Sequence, residues 1–298
     1  MPVIRVDAGQ PPDAALWRAA RDLPAGAPIV VMIHGYRYSP ARAHCDPHRH
    51  ILSVAPDPAR PRAVSWPVAL GLDSGDPAQG LGIAFGWEAR GRLGRAYRQA
   101  AVAGADLAQV VARIGDLSGR PVALIGHSLG ARVALQAVVG AGAGPVGRVI
   151  LLTGAEFRDT AAEAADSPGG RAAEIVNVTS RENDLFDFAL ELWLGRGRRE
   201  VLGFGLDHPR PHWLDIQIDD GATLAALAGM GFAVDRSSLR LSHWTPYLRR
   251  GLFDFYRCAL CQPWALPMNV LRTRLPGRAE PRWSRLLAAP GKAGGLRA

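Results

Sequence analysis

The sequence predicts an α/β protein, a mostly parallel central sheet with helices on both faces. Three observations predict it. Apolar runs of strand length recur along the chain. Segments with helical spacing of apolar residues separate them. The runs are apolar at consecutive positions rather than alternating, as strands buried on both faces are. With 298 residues and 48% hydrophobic content, the chain can bury a sizeable core as one large domain or two small ones. Its 21% charged residues exclude a disordered or coiled-coil composition.

Taken in order, Pro28 to Ile33 (PIVVMI) reads as a buried strand ending in His34-Gly35, and Arg62 to Trp66 (RAVSW) as a second. Arg95 to Leu117 is a helix by composition and spacing. Pro121 to Ile125 (PVALI) is the third strand, and Leu129 to Val139 a helix with Arg132 and Gln136 on its polar side. Arg148 to Thr153, Glu174 to Thr179 and the more alternating Leu214 to Ile218 give three further strands; Tyr247 to Ala259 is a closing helix. Two stretches break the rhythm, the Gly-rich 71–94 and the Gly-, Pro- and Arg-rich 195–213. Both read as loop insertions of the kind that surround a site at strand C-termini. The reading gives one domain over 1–265, its core about 28–260, followed by a basic tail over 266–298.

The net charge of +8 is concentrated in that tail. Residues 271–298 hold six Arg and one Lys against Glu280 alone, a net +6, which leaves the rest near +2. Such a terminus reads as solvated and poorly ordered, with Trp283, Leu286 and Leu287 suited to weak membrane-surface contact. No nucleic-acid partner is expected. The three cysteines, Cys45, Cys258 and Cys261, make no disulfide framework and fit a reducing cytoplasm. No secretory leader is read in MPVIRVDAGQ, and no apolar run is long enough to span a membrane.

The chemistry centres on Gly126-His127-Ser128-Leu129-Gly130, a G-x-S-x-G pentapeptide with a strand before it and a helix after it. In that context the chain reverses so sharply that side chains at 126 and 130 would clash. The serine is then held in a strained conformation at a helix N-terminus. A serine hydroxyl needs a base, and the base an orienting acid. Asp184 falls just after the strand ending at Thr179 and is the acid; Asp187 is its alternative, and a helix cap is the plain structural role for Asp184. His208 and His212 precede the sixth strand, whereas His243 follows it, so His243 is the base. The amides of Leu129 and Tyr36 are the oxyanion donors, and His34 fixes the loop between them. Trp66 and Phe186 are expected as substrate-binding walls.

At these residues the sequence resembles the α/β-hydrolase superfamily. HGY at 34–36, GHSLG at 126–130, Asp184 and His243 match its landmarks in order, and SWP at 65–67 with TSRENDLF at 179–186 is similar to a largely uncharacterised bacterial branch. The resemblance covers roughly residues 28–260. It implies an eight-stranded, mostly parallel fold and a Ser-His-Asp triad. The superfamily spans esterases, lipases, peptidases, acyltransferases and non-catalytic members, so the fold does not name the substrate.

His44, Cys45, Asp46, His48 and His50 have metal-ligand chemistry but no familiar spacing, and read as an active-site loop. Cys258-x-x-Cys261 lacks a second pair and reads as packed thiols. No metal or cofactor is expected. The expected function is hydrolysis of an ester or related acyl bond through an acyl-enzyme. The rival readings are a non-catalytic scaffold for a partner or membrane surface, and acyl transfer to an alcohol or amine.

Overall fold

The apolar runs assemble into one sheet in the computed structural model, which describes residues 3–62, 64–236, 241–277, 280 and 282–283. Seven strands, β1 (Val3–Asp7), β2 (Ile29–Ile33), β3 (Leu81–Gly86), β4 (Val122–His127), β5 (Val146–Leu152), β6 (Glu174–Thr179) and β7 (Trp213–Gln217), lie in the order β1-β3-β2-β4-β5-β6-β7. Every neighbouring pair is parallel. The chain is therefore of the α/β class, with an all-parallel sheet among the described residues.

Helices cover both faces, as a sheet without a solvated side requires. On one side pack α1 (Ala14–Arg21), α3 (Leu93–Ser118), α4 (Leu129–Ala141) and α5 (Arg158–Asp166), with the short α6 (Pro168–Ala172) against α4 and β5. On the other lie α2 (Trp66–Ala69), α8 (Gly221–Gly229), α9 (Thr245–Leu248), α10 (Leu252–Cys261) and α11 (Met268–Arg274). The two-residue period of a strand divides β2 between these layers: Ile29, Val31 and Ile33 enter the first core, Val30 and Met32 the second. One helix, α7 (Asp184–Trp193), follows β6 and packs Leu190 with Phe157 and Val201 in a third, smaller cluster beside Leu93 and Tyr97 of α3.

Two strands depart from the sequence reading. Arg62 to Trp66 is not a strand. Ser65 Oγ accepts the Val68 N–H and Pro67 occupies the first turn, so RAVSW leads into α2, and capping plus an N-terminal proline outweigh the apolar pattern. The strand beside β2 is instead β3, inside the stretch read as a loop; Gly82 and Gly86 interrupt its apolar pattern. β1 was outside the elements expected. The closing helix is divided into α9 and α10 around Gly251, which has φ 85°.

The expected tail boundary at 265 also shifts. Met268, Leu271 and Leu275 of the α11 region are buried in the second core. Glu280 pairs with Gln217, and Arg282 forks onto Glu191 of α7 at 2.7 and 2.8 Å. Leu286 and Leu287 lie outside the described residues.

The strand order reverses between β2 and β4, the place where an open parallel sheet leaves a crevice at its C-terminal edge. HGY leaves β2 and the pentapeptide leaves β4 at that point.

Candidate active site

Ser128 caps α4 with φ 55° and ψ −122°, a conformation a non-glycine residue holds only under constraint. The constraints are visible. Its N–H donates to Leu152 O at 3.0 Å, and its carbonyl accepts from Ala131 N and Ala155 N, both at 3.0 Å. A Cβ on Gly126 would stand 2.4 Å from Gly130 O, and one on Gly130 would stand 2.5 Å from Ile33 O. A Cβ on Gly35 would come within 2.9 Å of the Ser128 Cβ. The three glycines thus press the turn after β2 against the turn after β4, and Tyr36 and Leu129, the residues that follow Gly35 and Ser128, both line one cavity with the serine. Ser128 is 5% exposed, and what it exposes borders a cavity of about 1210 Å³ that Tyr36, Leu129, His243 and Phe186 also line.

His34 locks the first of these turns. Its Nε2 accepts the Trp87 N–H at 3.0 Å, so Nδ1 carries the proton and donates to Gly35 O at 2.9 Å. Trp87 Nε1 donates back to His34 O, and the rings stack. Burial pushes the imidazole down to about 3, which keeps it neutral. The loop-fixing role expected of His34 is the one its geometry has.

His243 is carried on a segment pinned from several sides. Its carbonyl accepts from His127 Nε2 at 3.0 Å and Thr153 Oγ1 at 3.3 Å. The adjacent Ser242 N–H donates to Glu182 O at 2.9 Å, and the Glu182 carboxylate holds Thr245 Oγ1 and Arg249. The ring is walled by Phe186, stacked at 4.8 Å, and by His127 at 4.6 Å. That enclosure, with the charge of nearby Arg62, drives its pKa well below the usual histidine value.

The group on His243 Nδ1 is Asn183, through Oδ1 at 2.6 Å. The sequence reading put Asp184 there. In the structure the Asp184 side chain has no exposure and turns away from the cavity, toward Arg181 Nη1 at 3.1 Å and the Trp283 N–H. The reason is local. Ser180 accepts the Glu182 N–H and starts a tight turn over Arg181–Asn183, and α7 begins at Asp184. Neighbouring residues on a helical path point about 100° apart, so only one of the two can face His243. Asn183 Nδ2 in turn donates to Asp187 Oδ1 at 2.9 Å. Asp187 is buried beside Arg181 and Asp184, and desolvation raises its carboxyl to about 7. The sequence named Asp187 only as an alternative to Asp184 and missed Asn183. An amide one residue before the expected acid was the available signal.

The two expected substrate walls separate. Phe186 is 37% exposed and borders the cavity. Trp66 does not: it is fully buried against Tyr247 and Phe253 in the second core. In the 44–50 segment, His48 pairs with Asp7 and His50 with Tyr38 and Pro61 O. No group of three metal-ligating side chains is found among the described residues. Cys258 and Cys261 pack at the edge of the second core as free thiols, and burial raises Cys261 to about 11. No helix among the described residues is long and apolar enough to cross a membrane.

The arrangement offers a hydroxyl on a strained turn and an oriented imidazole on one cavity, which Tyr36 and Leu129 also line. Compared with known proteins, the chain matches no family model, and a search of curated proteins finds no significant match.

Proposed function

We propose that the chain is a serine hydrolase of the α/β-hydrolase type, cleaving an ester or related acyl bond. The observation that carries the reading is Ser128 held at φ 55° on the cavity that His243 also lines. Ser128 Oγ attacks the acyl carbon while His243 Nε2 takes its proton. Nδ1–H stays on Asn183, an arrangement also used by the Cys-His-Asn proteases. The Leu129 amide, at the N-terminus of the 13-residue α4, and the Tyr36 amide receive the oxyanion; the helix dipole adds to both. His243 gives the proton to the leaving group, then activates the water that frees the acid. Its free cysteines suit a reducing cytoplasm.

A fluorophosphonate probe tests this. Wild type is labelled at Ser128, and Ser128→Ala, still folded by circular dichroism, is not. Wild-type protein that resists labelling while folded overturns the reading.

A further inference from the structure

The cavity walls are chemically divided. On one side α7 presents Leu185, Phe188, Leu192 and Trp193, all more than a third exposed, Trp193 to 69%. Leu185, Phe188 and Leu192 recur at three- and four-residue spacing, so they form one apolar strip along the cavity, with Trp193 next to its end. Around the serine the wall is cationic. Arg37 follows Tyr36 directly, and Arg92 follows Gly91, whose carbonyl accepts the Tyr36 phenol. Arg62 lies over the Trp244 ring at 3.4 Å, next to His243. All three line the cavity and are exposed. None has a carboxylate within ion-pairing distance among the described residues, unlike the buried or half-buried Arg132, Arg148 and Arg282, which are paired with Glu156, Glu174 and Glu191. Among the described residues, the one carboxylate lining the cavity is Asp187, buried behind Asn183. The volume of about 1210 Å³ exceeds the roughly 300–1,000 Å³ of most small-molecule sites.

We propose that the substrate is an amphiphile: an acyl ester whose alcohol carries an anionic group, phosphate above all, with the acyl chain along α7 and the anion among Arg37, Arg62 and Arg92. This rests on the hydrolase reading above. The side assignment follows from the reaction. Ser128 Oγ bonds to the acyl carbon, the carbon–oxygen bond to the alcohol breaks, and the alcohol oxygen leaves with the proton from His243. The alcohol therefore departs past His243 and Trp244, where Arg62 stands. Water then replaces Ser128, giving the carboxylic acid and the anionic alcohol. Guanidinium groups not already paired with a carboxylate bind phosphate in the fork geometry lysine lacks.

The test compares 1-octanoylglycerol with 1-octanoylglycerol 3-phosphate at monomeric concentrations, beside fluorophosphonate labelling of Ser128. The two share acyl chain and scissile bond. The phosphate ester is expected to have a kcat/KM about 10- to 100-fold higher, with the ratio falling in Arg62→Gln and Arg92→Gln and at high salt. A wild-type ratio near one, or a ratio the variants leave intact, overturns the proposal. Labelled Ser128 with neither ester cleaved also overturns it and leaves the hydrolase reading standing. Failure of labelling itself removes that reading instead.

Discussion

An amide beside His243 Nδ1 can present its oxygen or its NH2, and only the oxygen keeps the proton on Nδ1 and leaves Nε2 able to accept from a serine. Asp187 decides between them, because its Oδ1 takes the Asn183 NH2 at 2.9 Å and turns Oδ1 of Asn183 toward the ring. Asn183→Ala is expected to lower kcat by about 10²–10⁴-fold, the range seen when a base loses its orienting group, with KM little changed; steady-state kinetics on a soluble ester measures it. In the proposed mechanism neutral His243 is the active form, and burial lowers its pKa, so the acid limb of kcat/KM should lie below pH 6.5. Asn183→Asp should move that limb upward, since a carboxylate at this distance favours the imidazolium. Asp187 leaves a second, separable trace. Its folded pKa of about 7 lies above the 3.8 of an exposed aspartate, so between those values the native state holds a proton the unfolded state has lost. Stability from this group is therefore lost as pH rises from about 4 to about 7, and is flat above. Asp187→Leu removes the titration, and its melting temperature relative to wild type should improve between pH 4 and pH 8. An unchanged difference across that range would remove the raised carboxyl. That Ser128, His243 and Phe186 meet at one cavity was legible, because motif, order and strand ends select them. The choice between Asn183 and Asp184 was not, because it depends on where a turn becomes a helix, a shift of one residue.

Elements carry the same lesson in backbone terms. β2, β4, β5 and β6 were readable because each is a continuous apolar run, and doubly buried strands leave that trace. β3 was not, since glycines at 82 and 86 remove the apolar signal while parallel pairing to β1 and β2 supplies the order. RAVSW carried the opposite error: its pattern suits a strand, but Ser65 and Pro67 start a helix. The turn after β4 was predicted from residue size alone, and the contact distances give the size argument its magnitude. At Gly130 a methyl group would meet two backbone carbonyls, of Ile33 and His34, at 2.5 and 2.6 Å. Backbone cannot rotate aside as a side chain can, so the turn after β2 must move. Gly130→Ala is expected to cost about 1–3 kcal/mol, the usual range for overpacking, and to slow labelling of Ser128 by more than that loss of stability explains, because Tyr36 moves with the turn. Urea denaturation and labelling rates, measured together, separate the two. A variant as stable and as reactive as wild type would mean the two turns are not pressed together.

For the molecule as a whole, the question is where the folded unit ends. Charge and composition suggested a boundary at 265, because residues 271–298 carry a net +6 and look like a solvated terminus. Burial answers differently. Leu271 has no exposure and sits in the core layer that also holds Phe255, Tyr256 and Ile216. Leu266 O and Ala259 O accept from the buried Arg148, whose guanidinium also pairs with Glu174. Ending the chain at 265 would remove the Leu266 carbonyl and uncover that layer. Basic side chains hid this in the sequence, since arginines on the outer face of a short helix dominate its composition while three apolar residues do the packing. Leu271→Ala should cost about 2–5 kcal/mol, and a chain ending at 265 should fail to give a cooperative thermal transition. A chain ending at 277 keeps α11 and, among the described residues, loses the contacts of Glu280, Arg282 and Trp283 with Gln217, Glu191 and Asp184 and with the rings of Phe188 and Phe204. That chain should melt cooperatively a few degrees below wild type, in keeping with the loss of partly exposed pairs. Equal melting of the 265 and 277 chains would place the boundary where composition put it; a gap between them places α11 inside the folded unit.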